Sequence, residues 1–248
     1  MAPNKLDRPP YVHNWVRYNH PDQDKTTKAL VAFAISMPRI TYVAGATIIR
    51  DRIALKLDRE TGLRAAQSRG HKKSRPYVTE FVTAFYDYDE TRNYSGLPSY
   101  DEYVAPYHIS RDIRVPVKPL IVISENGVLK PIFVVGWASM PLTRFQRRLL
   151  MIVLEDAVFS LTDFQQSPGE FVCFPRLEGT NSGARSSEVW HRGDYESLSH
   201  AELKEQIEIY LAALTQAKAI LADRPATADD LHKNETSVAD PRQTEMDI

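Results

Sequence analysis

The 248-residue chain has one cysteine, Cys173, so it can form no internal disulfide and no cysteine-rich zinc site. It has only ten glycines, and none falls in a Gly-rich phosphate loop or a dinucleotide fingerprint. No zinc-protease helix and no nucleophile elbow is present either. Apolar runs such as Leu149 to Leu154 are far short of the ~20 residues that span a bilayer. Residues 1–10 are polar and proline-rich, without the apolar core of a secretory signal. These absences lead to the expectation of a soluble, cytoplasmic protein with no membrane partner, no metal and no cofactor. With 43% hydrophobic and 25% charged residues, the chain has the composition to bury a core unaided.

The net charge of −1 hides an asymmetry. Arg50, Arg52, Arg64, Arg69, Lys72, Lys73 and Arg75 crowd the front half, whereas acidic residues dominate from Glu196 onward. Such a basic front suits an anionic partner.

Prolines at 3, 9, 10 and 21 make residues 1–26 an extended arm, with Tyr11, Val12, Trp15, Val16 and Tyr18 to anchor it. Residues 28–37 are an apolar run compatible with a short helix or a buried strand. Residues 40–70 favour helix, with a break near Gly62. Val78, Phe81, Val82 and Phe85 mark a helix over 77–87. A tyrosine-rich loop is expected from Asp89 to Ser110, longer than the ~15 residues usual in compact domains. Apolar runs at 120–123 and 132–135, joined through Glu125-Asn126-Gly127, predict a β-hairpin, with Pro131 at a strand edge or bulge.

A helix over 141–163 follows, with Ser139 as N-cap and Pro141 in its first turn. A strand is expected at 170–174 and a polar loop at 178–196. Ser199 and Glu202 form a capping box, with Leu198 and Leu203 as its staple, opening a helix striped by Leu203, Ile207, Tyr210, Leu211, Leu214 and Leu221. The expected class is α+β: a helical part over 27–110, a sheet-and-helix part over 111–222, and a disordered acidic tail over 223–248.

Several groups have the chemistry for a site. On a helical wheel, Asp156 shares the apolar face of Leu142, Phe145, Leu149, Ile152 and Val153, with Asp163 one line further on. A carboxylate there needs a partner, as a catalytic acid or as a satisfied structural group. Arg144, Arg147 and Arg148 stand in the first turns of the same helix, where cations oppose the macrodipole and suit phosphate. The loop Trp190–Tyr195 holds His191, Arg192 and Asp194 close together, as acid–base chemistry would use them.

The cluster His71–Arg75 leads into seven of the 12 tyrosines: Tyr77, Tyr86, Tyr88, Tyr94, Tyr100, Tyr103 and Tyr107. Charge interleaved with aromatics suits single-stranded nucleic acid, although tyrosines are as readily packing groups with wet hydroxyls. The unit at 118–163 has the outline of many nuclease cores, but its second strand, read as Ile132–Trp137, has none of the carboxylates or lysine that such a site needs.

The preferred reading is a non-enzymatic binding protein that contacts nucleic acid or another polyanion through Arg50, Arg52, Arg64, Arg69, Lys72, Lys73, Arg75, Arg144, Arg147 and Arg148. The alternatives are a hydrolase or nuclease-like enzyme using Asp156 and Asp163 in a cleft with His191, and a scaffold subunit docking protein partners through its arm or C-terminal helix.

Overall fold

The computed structural model describes residues 5–36, 42–97, 106–177 and 183–223. Seven helices are described: α1 (Val12–Trp15), α2 (Gln23–Ile35), α3 (Val43–Leu55), α4 (Arg59–Ser68), α5 (Arg75–Asp89), α6 (Arg144–Leu154) and α7 (His200–Ala222). The strands are β1 (Ser95–Leu97), β2 (Tyr107–His108), β3 (Arg114–Val115), β4 (Ile121–Glu125), β5 (Val128–Val135), β6 (Glu170–Cys173) and β7 (Glu188–Trp190). The α+β expectation holds: a mixed sheet in the order β1-β4-β5-β6-β7 is flanked by helices, and β2-β3 form a separate small hairpin.

The hairpin β4–β5 turns where expected. Asn126 (φ 53°) and Gly127 (φ 76°) both take the left-handed conformation that a two-residue turn demands. Pro131 pairs with Val122, one residue before β5 gains its second neighbour, β6, at Ile132. The N–H that proline lacks is therefore not needed by β6. Helix α6 is the crossover that lets β6 run parallel to β5, and β7 returns antiparallel.

Alternation along these strands builds two cores. Ile121, Ile123, Ile132, Val172 and Phe174 face Ile49 and Ile53 of α3 and Phe81 and Phe85 of α5. Val122, Phe133, Val135, Phe171 and Cys173 face α6, the N-terminal arm and α7. A third cluster packs α4 on the outside of α3 and α5, through Ile48, Ala66, Val78, Val82 and Tyr86. The sheet thus separates α3–α5 from α6 and α7.

Several expectations are corrected. The arm is not extended: residues 5–18 fold into short helical turns, and Leu6, Val12, Trp15 and Val16 are buried in the α6–α7 core. The 28–37 run belongs to helix α2 as far as Ile35. The helix break lies at Lys56, in the left-handed conformation (φ 56°), and Asp58 caps α4 by accepting from the Thr61 N–H. Gly62 instead lies inside α4, where an added Cβ would meet the Tyr86 hydroxyl at 2.3 Å. Strands β1 and β2 lie within the expected 89–110 loop, whose residues 98–105 are outside the described ones. Likewise β7 interrupts the expected 178–196 loop.

Helix α6 starts at Arg144, three residues after Pro141, with Thr143 and Gln146 as its capping box in place of Ser139. It ends at Leu154, where Glu155–Phe159 widen into a π turn. The capping box at Ser199 and Glu202 is present, with Leu198 and Leu203 both buried. The expected tail beyond Asp223 lies outside the described residues.

Candidate anion-binding site

Helix α4 stops at Ser68, the chain turns at Gly70 (φ 76°), and α5 starts at Arg75 with Pro76 in its first turn. This turn lifts Lys72, Lys73 and Arg75 onto one shoulder. Among the described residues none of the three has a carboxylate within 4.0 Å; the Arg75 side chain donates only to the Gly70 carbonyl (3.3 Å).

The other cations of the first basic group are already engaged. Arg52 donates to Asp89 (2.7 Å) and lies over the Tyr86 ring. Arg64 pairs with Glu60 one turn earlier, and Arg69 approaches Asp51 at 3.7 Å. Arg50 is half-buried and is not free.

Beside the shoulder runs a groove of about 700 Å³, floored by one stripe of α5: Pro76, Thr79, Glu80, Thr83, Ala84 and Asp87. Lys72 and Arg75 stand at one end, and the segment Gly183–Arg185 forms part of the opposite wall. Its two carboxylates are each held by arginine. Glu80 accepts from Arg176 (2.8 Å) and from Arg185 (3.2 Å), and Asp87 accepts from Arg59 (2.6 Å). The Arg185 side chain is fully buried and also donates to the Gly136, Trp137 and Phe174 carbonyls. Tyr77, half-buried, lies beneath the Arg176 guanidinium, with 5.2 Å to its ring.

The second basic group does not join this shoulder, because α6 covers the other face of the sheet. Arg147 packs against the rings of both Trp190 and Tyr195, at 5.0 and 5.4 Å, and donates to the Tyr195 hydroxyl. Arg148 reaches Glu202 and Glu196. Arg144 is exposed, with no carboxylate partner among the described residues.

The tyrosines divide similarly. Tyr86 donates to the Leu57 and Asp58 carbonyls, Tyr94 to Asp89 and Tyr88 to Glu170, so these three are structural. Tyr107 is half-buried against the α6 side, and Tyr100 and Tyr103 lie outside the described residues.

The π turn rotates Asp156 off the apolar face, leaving it half-buried near His200 and Tyr107. Partial burial pushes its carboxyl pKa up, against the pull of His200. Asp156 lines neither described cavity, and Asp163 is exposed. His191, 43% exposed, stands 3.7 Å from Glu170 and 3.7 Å from Asp194 rather than with Asp156. Glu155, the neighbour of Asp156, accepts two bonds of 2.7 Å from Arg192.

The sequence reading missed a buried ionic cluster at one end of the sheet. Arg92, just beyond α5, donates to Glu125 (2.9 Å) and Glu170 (2.9 Å) and also contacts the Tyr88 hydroxyl. Lys130 donates to Glu125 (2.6 Å), and Tyr88 donates to Glu170 (2.5 Å). Two carboxylates meet two cations, so the cluster is neutral and every carboxylate oxygen has a donor. The Arg92 bond holds the Glu125 carboxyl below its usual range, while burial beside Glu170 pushes the Tyr88 phenol far up. Lys130 escaped notice because strand β5 starts at Val128, four residues before the apolar run that signals it. A lysine does stand on that strand, but arginine and lysine already occupy the carboxylates. Among the described residues no group of three His, Cys, Asp or Glu is placed to hold a metal ion.

Comparison with known protein families, curated proteins and solved structures found no match. No described helix is long and apolar enough to cross a membrane.

Proposed function

We propose that this chain is a non-enzymatic binding protein whose α4–α5 shoulder holds a polyanion, nucleic acid first among them. One observation carries the reading: Lys72, Lys73 and Arg75 stand together without a carboxylate partner among the described residues, whereas Arg52, Arg64 and Arg69 are paired. Cations that hold no carboxylate break no ion pair when they meet phosphate, and counterion release then drives association. Arg147 and Arg148 are tied to the chain's own groups, which narrows the proposed contact surface to residues 72–75.

The hydrolytic alternative gains no support, since Asp156, Asp163 and His191 do not share a cleft.

The test is fluorescence anisotropy with a labelled single-stranded oligonucleotide across a salt series. Three phosphate contacts on a single strand give a log–log salt slope of about −2. The triple variant K72E/K73E/R75E should bind at least tenfold more weakly at low salt and lose most of that slope. Affinity indifferent to salt, or to the triple variant, overturns the proposal.

A further inference from the structure

We infer that the groove along α5 is a pocket for a small phosphorylated, hydroxyl-bearing molecule, such as a sugar phosphate or a nucleoside monophosphate, with its phosphate at the Lys72–Arg75 end. This rests on the reading of the shoulder as an anion site and names what lies beyond it.

Three features of the groove set the ligand class. The first is size: about 700 Å³ is within the range of small-molecule sites and excludes a convex duplex. From Pro76 to Asp87 the stripe runs about 16 Å at 1.5 Å per residue, which limits an occupant to one or two sugar units. The second is charge polarity. Lys72 and Arg75 supply unpaired positive charge at one end only, while Asp87 stands at the other. A molecule with one anionic end fits this arrangement in a single direction.

The third is the lining between these ends. Thr79 and Thr83 offer hydroxyls, and Gln67 an amide, along a stretch where Glu80 is neutralised by Arg176 and Arg185. These groups can donate to and accept from ligand hydroxyls, and Asp87 keeps acceptor capacity beyond its bond from Arg59. Arg185, locked by Glu80, Tyr42 and three backbone carbonyls, fixes one wall of the groove in place before any ligand arrives.

The test is isothermal titration calorimetry of the full chain with adenosine 5′-monophosphate and ribose 5-phosphate, with adenosine and ribose as unphosphorylated controls. The phosphorylated pair should bind and the controls should bind at least tenfold more weakly. Thr83→Trp, which fills the groove floor, should weaken ribose 5-phosphate at least tenfold while leaving oligonucleotide binding within twofold. Lys72→Glu, an exposed change that spares the fold, should weaken both. A melting curve on each variant checks folding, and if Thr83→Trp unfolds the chain, Thr79→Phe, a bulky neutral change, replaces it. Oligonucleotide binding without any binding of either phosphorylated molecule sinks the pocket and spares the shoulder. Absence of both kinds of binding sinks both. Ribose 5-phosphate binding untouched by the groove-filling variants also overturns the pocket. Binding of the mononucleotide but not the sugar phosphate assigns the site to a nucleotide.

Discussion

Replacing Arg92 with methionine is the sharpest test of the buried cluster. The side chains of Arg92, Glu125 and Glu170 are 15%, 13% and 5% exposed. Methionine roughly keeps the volume and removes all the bonds. The cluster's charge then moves from zero to −1, with Lys130 facing both carboxylates, at 2.6 and 3.8 Å, and the Tyr88 hydroxyl and His191 still beside Glu170. Removing one partner of a buried ion pair costs about 3–5 kcal/mol, and the surviving lysine places this case near the lower figure. For a chain of this size about 3 kcal/mol lowers Tm by roughly 6–12 °C.

Urea unfolding followed by circular dichroism measures the loss as a drop in midpoint at unchanged slope. Adding E170Q to R92M should recover about 1–2 kcal/mol, because it removes one of the stranded charges. Glu125, whose folded pKa is depressed, contributes stability that is present above its unfolded value and is lost as pH falls through the folded one. R92M should therefore flatten the acid limb of the stability curve. A loss below about 1 kcal/mol, the range of exposed pairs, would refute the account of the cluster as buried and interdependent.

Ser199→Ala should cost about 1 kcal/mol in the same assay, since the Ser199 hydroxyl accepts the Glu202 N–H and closes the box at the start of α7. His13 is held at a pKa of about 4 by burial and by Arg17, so its imidazole resonances should stay those of the neutral ring down to that pH. Its folded pKa is below the unfolded one, so it stabilises the fold above about pH 6.5 and this contribution drains away as pH falls toward 4; His13→Phe should abolish that part of the slope. The Cys173 thiol is fully buried and pushed up to about 12 by desolvation and by Glu188, so a thiol reagent should label it only in denaturant.

Local chemistry was the legible part of this sequence. The Asn126-Gly127 turn, the Ser199 box and the α5 stripe each depend on residues no more than seven positions apart, and each stands where expected. What depends on distant partners was not legible. Strand β7 exists because Phe171 to Cys173 offer it a ladder, and nothing in Glu188–Trp190 alone announces a strand. The π turn at Glu155–Phe159 upset the helical wheel that had buried Asp156, because one added residue per turn changes which side faces in. The candidate cations fared likewise. Their clustering in sequence was plain, but their pairing with Asp89, Asp51 and Glu202 and their division between two faces of the sheet arise only on folding.

The arm's burial bears on how the molecule is born. Trp15 sits 5.4 Å from Tyr210, so this segment closes against one synthesised 195 residues after it. At about 5–20 residues per second, that indole waits some 10–40 s for its berth. An early apolar side chain left in water that long invites chaperones. Trimming the first 26 residues would thus disturb folding itself, and any partner lost on truncation would say nothing about where that partner docks.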